Sequence, residues 1–377
     1  MGYGEKDSNL QEEFEFYAKK LIDEDEYPSR ENICRAIGER FQEARPPNNR
    51  KLSSPIITEY GGLALTPGGA VECLYDSSRT TRFAQGLYVA IKSAMAKFPE
   101  RPIRVLEAGS GPYSLLSMLV APFFKPGEVE FIPMDIYEES TSHVKEFASN
   151  LGQSGKFGTP ILGDATTIKL GNPKPHIIIA ETMNQLLEEE PQVQVTANLG
   201  DQTVEGGFFL PEKIELYAHV GSSMKQSFMK QSQEAPSQDP IPKDGKDGIH
   251  QEDVSQETIP QGVIVSSSGV FAPAQTIFTL TRDIAERVKR NGEIDKAALE
   301  EVLHQKFEIV SSTLIRNINR VVFGTRIQIF DNVTLKASDG SILTREKIEF
   351  LPDNSFSKIF LEIYMGTEDR LLNVTTI

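Results

Sequence analysis

With 54 Asp and Glu against 39 Lys and Arg, the 377-residue chain carries a formal charge of −15, which argues against an electrostatic surface for nucleic acid or an anionic membrane and leaves a cationic substrate open. Its 39% hydrophobic and 25% charged residues are those of a soluble globular protein long enough for about two domains. Only two cysteines occur, Cys34 and Cys73, with no CxxC, no HExxH and no clustered histidines, so neither a disulfide framework nor a metal site is expected. No window reaches about 18 uninterrupted apolar residues and the N-terminus lacks the apolar core of a signal peptide, so a cytoplasmic location is the expectation.

Residues 1 to 52 read as an N-terminal helical segment. Phe14, Tyr17, Ala18, Leu21 and Ile22 are spaced for one helix face, a second helical stretch runs near Ile33 to Phe41, and Pro46-Pro47-Asn48-Asn49 marks a linker. The two helices are expected to pack as an appendage rather than to act as a lid, and the acidic run Asp23 to Glu26 reads as a solvated face. Turns follow at Tyr60-Gly61-Gly62 and Thr66-Pro67-Gly68-Gly69, and Leu74 to Phe83 leads into a helix through Ile91 and Met95. Arg79 falls at that helix start, where it can reach a ligand carboxylate or pair with Asp76 one turn away.

From Val105 onward strands and helices alternate. Val105 to Glu107 is a strand, and Gly109 and Gly111 let the backbone take positive φ and pass close to a ligand. Pro112 suits a first helical position, which would turn the free N–H groups of a helix from Ser114 to Phe124 toward that ligand. Glu130 to Met134 is a second strand ending in Asp135, and a helix through Phe147 comes next. Thr159 to Leu162 ends in Gly163-Asp164-Ala165, and His176 to Ala180 ends in Glu181. The pattern predicts a doubly wound parallel sheet, an α/β domain of Rossmann type whose ligands collect at the carboxyl ends of the strands.

Asp135, 26 residues past Gly109, can there accept both ribose hydroxyls, and Asp164 beside Ala165 can accept an adenine amino group. Alone, each acid would serve as a helix cap; together they outline a nucleoside site. Ser114 stands where an NAD fingerprint needs its third glycine, and no Lys-Thr follows to make a Walker A loop. The remaining pattern, Glu107-x-Gly109-x-Gly111, looks like the S-adenosyl-L-methionine loop of class I methyltransferases, whose ligand is a nucleoside with an amino acid and no phosphate.

Glu181 is followed nine residues later by Glu190, so two acids on one loop flank this site. Such a pair can clamp a guanidinium, which stays protonated and matches carboxylates with its planar fork. Methyl transfer to the oriented nitrogen would then draw on positioning and fixed electrostatics more than on a strong base.

These residues resemble the protein arginine methyltransferases over roughly residues 72 to 220. Leu74-Tyr-Asp76-Ser-Ser-Arg79-Thr80 looks like the family's Leu-x-Asp-x-x-Arg-Thr segment, whose arginine meets the donor carboxylate. Glu107-Ala-Gly109-Ser-Gly111 resembles its donor loop, Asp135 its ribose acid, and Glu181 with Glu190 its paired glutamates. Gly206-Gly207-Phe-Phe-Leu210-Pro211 through Tyr217 is similar to its crossover into a β-barrel. The resemblance implies Glu181 and Glu190 as catalytic residues, with Arg79, Glu107, Gly109, Gly111, Asp135, Asp164 and Ala165 around the donor. It also implies a Rossmann-like domain at 53–205, a β-barrel-like substrate and dimerisation domain at 206–377, and a homodimer. Tyr113 replaces the loop's third glycine, Ala180 and Thr182 replace Ser and Trp around the first glutamate, and the chain has no Trp, so the family's Thr-His-Trp motif is missing.

In the second half, residues 222 to 262 are rich in Gln, Ser, Pro, Asp and Lys and read as a mobile insertion. Strand-like runs at Gly262 to Ser266 and Gln275 to Thr281 follow, then a helical stretch Arg282 to Phe307 broken at Asn291-Gly292. Alternating runs at 321–330, 333–337, 347–350 and 358–364 complete an antiparallel barrel or sandwich. The stretch 282–307 would supply dimer contacts or core packing.

The expected activity is S-adenosylmethionine-dependent methylation of an arginine guanidinium. Free L-arginine or a guanidino metabolite is favoured over protein arginine, because Thr-His-Trp is missing and the family has bacterial relatives that methylate free arginine. The alternatives are a protein-arginine enzyme, an amine or O-methyltransferase for a small metabolite, and a non-enzymatic scaffold in which Tyr113 obstructs the donor pocket.

Overall fold

The computed structural model describes residues 3–24, 27–45, 54–222, 264–266, 269–271, 274–310, 320–351, 358–366 and 372–376. Two helices, α1 (Tyr3–Asp23) and α2 (Tyr27–Ala44), open the chain. Phe14, Ala18 and Leu21 on α1 and Ile33, Ile37 and Phe41 on α2 recur every three or four residues and are buried. They enter the same core as the parallel sheet, with the Phe41 ring 5.0 Å from Tyr113 and 5.1 Å from Phe147. Burying a phenylalanine this fully contributes about 1.5–3 kcal/mol.

A hairpin of β1 (Ile56–Ile57) and β2 (Leu63–Ala64) and a short helix α3 (Pro67–Glu72) precede α4 (Ser77–Lys97). Asp76 caps α4 by accepting from the Arg79 N–H at 3.2 Å, which satisfies one of the orphan donors of a helix start. Next come β3 (Ile103–Ala108), α5 (Leu115–Val120), β4 (Val129–Asp135), α6 (Glu138–Ser142), α7 (Val144–Asn150), β5 (Ile161–Leu162), β6 (Ile177–Ala180), α8 (Gln192–Leu199) and β7 (Phe208–Leu210). The five strands form one parallel sheet in the order β5-β4-β3-β6-β7. The central strands β3 and β6 read as apolar runs because helices cover both faces. The chain reverses its direction of sheet growth between β3 and β6, so their carboxyl ends open onto a crevice.

Two boundaries differ from expectation. The parallel sheet runs to Leu210, because β7 pairs in parallel with β6; it therefore extends past the expected division at 205/206. The helix after the glycine loop is Leu115–Val120 against the expected Ser114 to Phe124, and Pro112 is not its first residue, because Ser114 takes a left-handed conformation (φ 47°, ψ 56°) and closes the turn first.

Beyond Pro211 the chain is antiparallel. β8 (Lys213–Ser222), β9 (Ile264–Ser266), β10 (Gly269–Phe271) and β11 (Gln275–Thr281) belong to a seven-stranded sheet with β15 (Arg320–Phe330), β16 (Val333–Leu335) and β17 (Lys347–Phe350). β14 (His304–Val310), β18 (Lys358–Tyr364) and β19 (Leu372–Thr376) form a second sheet of three. The described strands of these two sheets do not close into the expected barrel. The expected helical stretch 282–307 is instead α9 (Ile284–Val288), a hairpin of β12 (Lys289–Arg290) and β13 (Glu293–Ile294), α10 (Lys296–Leu303) and the start of β14. Asn291 (φ 53°) and Gly292 (φ 82°) turn that hairpin, as an Asn-Gly pair does in a tight two-residue loop. The expected insertion at 222–262 lies outside the described residues apart from Ser222.

The halves meet where it matters for the crevice. Asp76 Oδ2 accepts from the Ser341 hydroxyl (2.8 Å) and the Ile342 N–H (2.9 Å), and the Gln185 amide donates to the Arg345 carbonyl at 2.6 Å. Lys347 pairs with Glu188 at 2.8 Å, and the Gly366 N–H donates to the Leu187 carbonyl at 3.0 Å. The second half thus grips both the start of α4 and the loop that carries the paired glutamates.

Candidate active site

The expected site residues converge on one crevice at the carboxyl ends of the parallel strands. Arg79, Glu107, Gly109, Gly111, Asp135, Asp164, Ala165, Glu181 and Glu190 all line it. The glycines have the positive φ that the sequence called for, 73° at Gly109 and 61° at Gly111. A Cβ on Gly109 would come within 2.5 Å of Thr182, and one on Gly111 within 3.1 Å of Ala70. A side chain at Gly109 would therefore push the loop off the β6 end.

The loop's donors, however, are turned inward. Gly109 and Ser110 N–H donate to the Met134 carbonyl at 2.9 and 3.0 Å, and Gly111 N–H donates to Asp135 Oδ2 at 2.8 Å. Glu107 occupies the start of α5, accepting from the Leu116 N–H (3.0 Å), the Ser117 N–H (3.1 Å) and the Ser114 hydroxyl (2.7 Å). Burial raises the proton affinity of Glu107, and the bonds from Ser117, Ser114 and Leu116 oppose it. Two of the expected free N–H groups at the helix start, those of Leu116 and Ser117, are thus bonded by a carboxylate of the chain itself, which takes up donors an anionic ligand would otherwise use. Glu107 shapes the loop from beneath.

Asp135 and Asp164 each serve the frame as well as the crevice. Asp135 Oδ1 accepts from the Tyr137 N–H at 2.9 Å, and burial raises its proton affinity. The Gly111 N–H, the Ser140 side chain and the Ile136 N–H face the same carboxylate and oppose that rise. Asp164 accepts from the Thr166 N–H (2.8 Å) and hydroxyl (2.7 Å) and from the Glu59 N–H (2.9 Å), using three of its roughly four acceptor positions. The Ala165 carbonyl accepts from Asn198 at 3.0 Å. The Glu59 bond ties the β1–β2 hairpin across the crevice. Ile56 N–H to the Tyr137 hydroxyl (3.0 Å), Tyr137 hydroxyl to the Ala64 carbonyl (3.1 Å) and Leu63 N–H to the Glu189 carbonyl (2.7 Å) complete the strap.

The other end of the crevice is differently built. Arg79 Nη2 lies 2.6 Å from Glu181 Oε2, with 15% and 10% of the two side chains exposed; its partner is therefore Glu181, while the Asp76 side chain caps the helix. Glu181 Oε1 is buried without a hydrogen-bond partner. Burial, opposed by Arg79 and reinforced by Glu190, pushes the Glu181 carboxyl up to about 7. Glu190 is likewise pushed up to about 7 by burial against the pull of Arg79. For Arg79, burial works against the charge but Glu181, Cys73 and Glu190 outweigh it and hold the guanidinium above its ordinary value. Among the described residues lining the crevice, Arg79 is the one cation against the five acids Glu107, Asp135, Asp164, Glu181 and Glu190.

Tyr113 does not enter the crevice. Its ring lies 4.7 Å from Phe147 and 5.0 Å from Phe41, turned into the core beneath α2. Sequence reasoning missed the hairpin strap, Tyr137, Thr182 and Cys73, which lines the crevice beside Arg79. Only Tyr60-Gly61-Gly62 hinted at the strap, and Tyr137 carried no signal beyond lying two residues past Asp135.

Fold and crevice together define a doubly wound α/β domain of Rossmann type, joined to antiparallel sheets. No protein-family model matches the chain, and no curated protein matches its sequence. Among solved structures the chain is similar to the Trypanosoma brucei PRMT1 enzyme-prozyme heterotetrameric complex with AdoHcy, at 15% identity and a TM-score of 0.47, over 82% of this chain and 96% of that one. No helix among the described residues is long and apolar enough to cross a membrane, and none of their side chains cluster as a metal site would require.

Proposed function

We propose that the crevice binds S-adenosyl-L-methionine and that the protein is an arginine N-methyltransferase. The carrying observation is the charge inventory of the crevice: five acids, one arginine, and a glycine loop whose N–H groups are already bonded within the protein. A phosphate needs free N–H donors, and those of Gly109, Ser110 and Gly111 are already spent on the protein. A nucleoside bearing a sulfonium and an amino acid needs acceptors for its ribose and one cation for its carboxylate. The Asp135 carboxylate, which lines the crevice at the end of β4, suits the ribose, Asp164 and Ala165 border the base, and Arg79 suits the carboxylate.

Glu181 and Glu190 then take the acceptor guanidinium. The unpartnered Glu181 Oε1 gives that cation a buried oxygen to bond, and two carboxylates hold its fork in one plane. The guanidinium nitrogen attacks the sulfonium methyl; its N–C bond forms as the S–C bond breaks, the electron pair stays on sulfur, and the nitrogen loses a proton. Burial has made the carboxylate pair basic enough to receive that proton near neutral pH. Most of the acceleration comes from orientation and fixed charge.

Free L-arginine or a guanidino metabolite is the favoured acceptor, since the Thr-His-Trp motif with which the resembling family helps hold its substrate arginine has no counterpart in the sequence. The packing of Tyr113 against Phe41 and Phe147 withdraws the obstruction on which the scaffold alternative depended. Incubating the protein with S-adenosylmethionine and, separately, L-arginine and an arginine-rich peptide, with mass spectrometry of the products, tests the assignment. Methyl gain on free arginine supports it in full. Gain on the peptide alone moves the substrate to protein, and no gain on either overturns it.

A further inference from the structure

Resting on the function proposed above, we propose that Arg79 is a positioning residue for the acceptor as well as a ligand for the donor, so that the donor's carboxylate itself prepares the guanidinium site. The two sites share one ion pair. Arg79 comes from the start of α4 and Glu181 from the end of β6, and they meet inside the crevice at 2.6 Å. Glu181 presents Oε2 to Arg79 while Oε1 is buried and unbonded, so the carboxylate is half spent on a cation of the protein and half open to a cation of the ligand.

A guanidinium offers five N–H donors, and a second carboxylate placed on Arg79 divides its charge between two anions. Glu181 then keeps more of its negative charge for the acceptor. The nucleoside part of the donor, assigned above to Asp135, Asp164 and Ala165, brings no carboxylate to Arg79 and so leaves this balance alone. Coupling of this kind is reciprocal: whatever factor the donor carboxylate contributes to acceptor affinity, the acceptor returns to the donor. It also orders the cycle, since the acceptor is held most firmly only when a molecule with an amino-acid tail already occupies Arg79.

Calorimetry with two nucleosides separates the contributions. S-adenosylhomocysteine carries the amino-acid tail, and 5′-methylthioadenosine has the same nucleoside thioether without it. With the crevice saturated by each in turn, L-arginine and an arginine-rich peptide are titrated in. The expected result is that the acceptor binds at least about five-fold tighter with S-adenosylhomocysteine, the lower end of usual coupling factors, and that acceptor tightens S-adenosylhomocysteine by the same factor. Arg79→Met, shown folded by its thermal transition, should abolish the difference, and Arg79→Lys should restore part of it. Equal acceptor affinities with the two nucleosides, including no measurable binding with either, overturn the proposal while methyl transfer by the wild type leaves the proposed function standing. Failure of S-adenosylhomocysteine to bind at all overturns both.

Discussion

Glu107 and Glu181 are both buried glutamates at the carboxyl ends of neighbouring parallel strands, and they have opposite circumstances. Glu107 receives three hydrogen bonds from the first turn of α5. Glu181 has one ion pair on Oε2 and an unpartnered Oε1. A buried carboxylate surrounded by backbone N–H groups is part of the frame; one left half bonded keeps an oxygen unmatched, which the proposed function assigns to the acceptor cation. The same division runs through the whole crevice, with Asp135 and Asp164 tied largely to backbone donors and Glu181 and Glu190 facing a single arginine. Desolvating an unpaired acid is costly, and α4, fastened by Asp76 to the second half, supplies the charge that makes it tolerable.

Substitutions can break this contrast, beginning where the effect is largest. Glu190→Gln should lower methyl transfer by roughly 100- to 1000-fold, the usual loss on removing one preorganised charge, as read from initial rates. Glu107→Ala should barely touch the acceptor but leave three donors of α5 and its turn unbonded, lowering stability by about 3 kcal/mol in urea denaturation. Tyr113→Ala, which opens a hole between Phe41 and Phe147, should cost about 3 kcal/mol as well. Donor affinity of the folded fraction should remain as in the wild type, whereas tighter donor binding would return Tyr113 to the crevice.

The pH dependence sharpens the contrast. Burial pushes Glu181 and Glu190 up to about 7 from the ordinary 4.5, and in the proposed function it is their ionised forms that hold the guanidinium. kcat/KM should therefore rise with pH to a plateau above an apparent value of about 7 that belongs to the coupled pair. Because the folded values lie above the unfolded one, their linked stability is fully present below 4.5 and is lost as pH rises through about 7. Glu181→Gln should flatten that slope in a series of melts. The smallest effect is expected at Asp164→Ala, which frees the Glu59 N–H and should weaken S-adenosylhomocysteine a few-fold by loosening the hairpin, as calorimetry would show.

The sequence made the crevice legible because its chemistry lies on local signals. Gly109 and Gly111 announce a backbone that must turn, and strand-end acids announce themselves where an apolar run stops at Asp135 or Glu181. What could not be read depends on partners far along the chain. Nothing in Val105 to Tyr113 says that Glu107 will reach forward to bond Leu116 and Ser117, or that Ser114 will close the turn before Pro112 can start a helix. The strap needs Glu59 to find Asp164 and Leu63 to find Glu189, contacts more than a hundred residues apart. For Arg79 the sequence offers a ligand carboxylate or Asp76, and its pairing with Glu181, far along the chain, goes with Asp76 being used as a helix cap and as the anchor for Ser341 and Ile342. Phe208–Leu210 falls past the expected division because its surroundings resemble a crossover segment, and a run of three residues does not reveal that it pairs in parallel with β6.

The most direct test measures S-adenosylhomocysteine affinity and methyl transfer to L-arginine, with an arginine-rich peptide in parallel, on one preparation each of wild type and Glu181→Gln. The account predicts transfer lost by about 100-fold or more while S-adenosylhomocysteine binds as well as before or tighter, because Arg79 is released from its partner. Donor affinity and transfer falling together, or transfer surviving the substitution, would contradict the separation of donor frame from acceptor clamp.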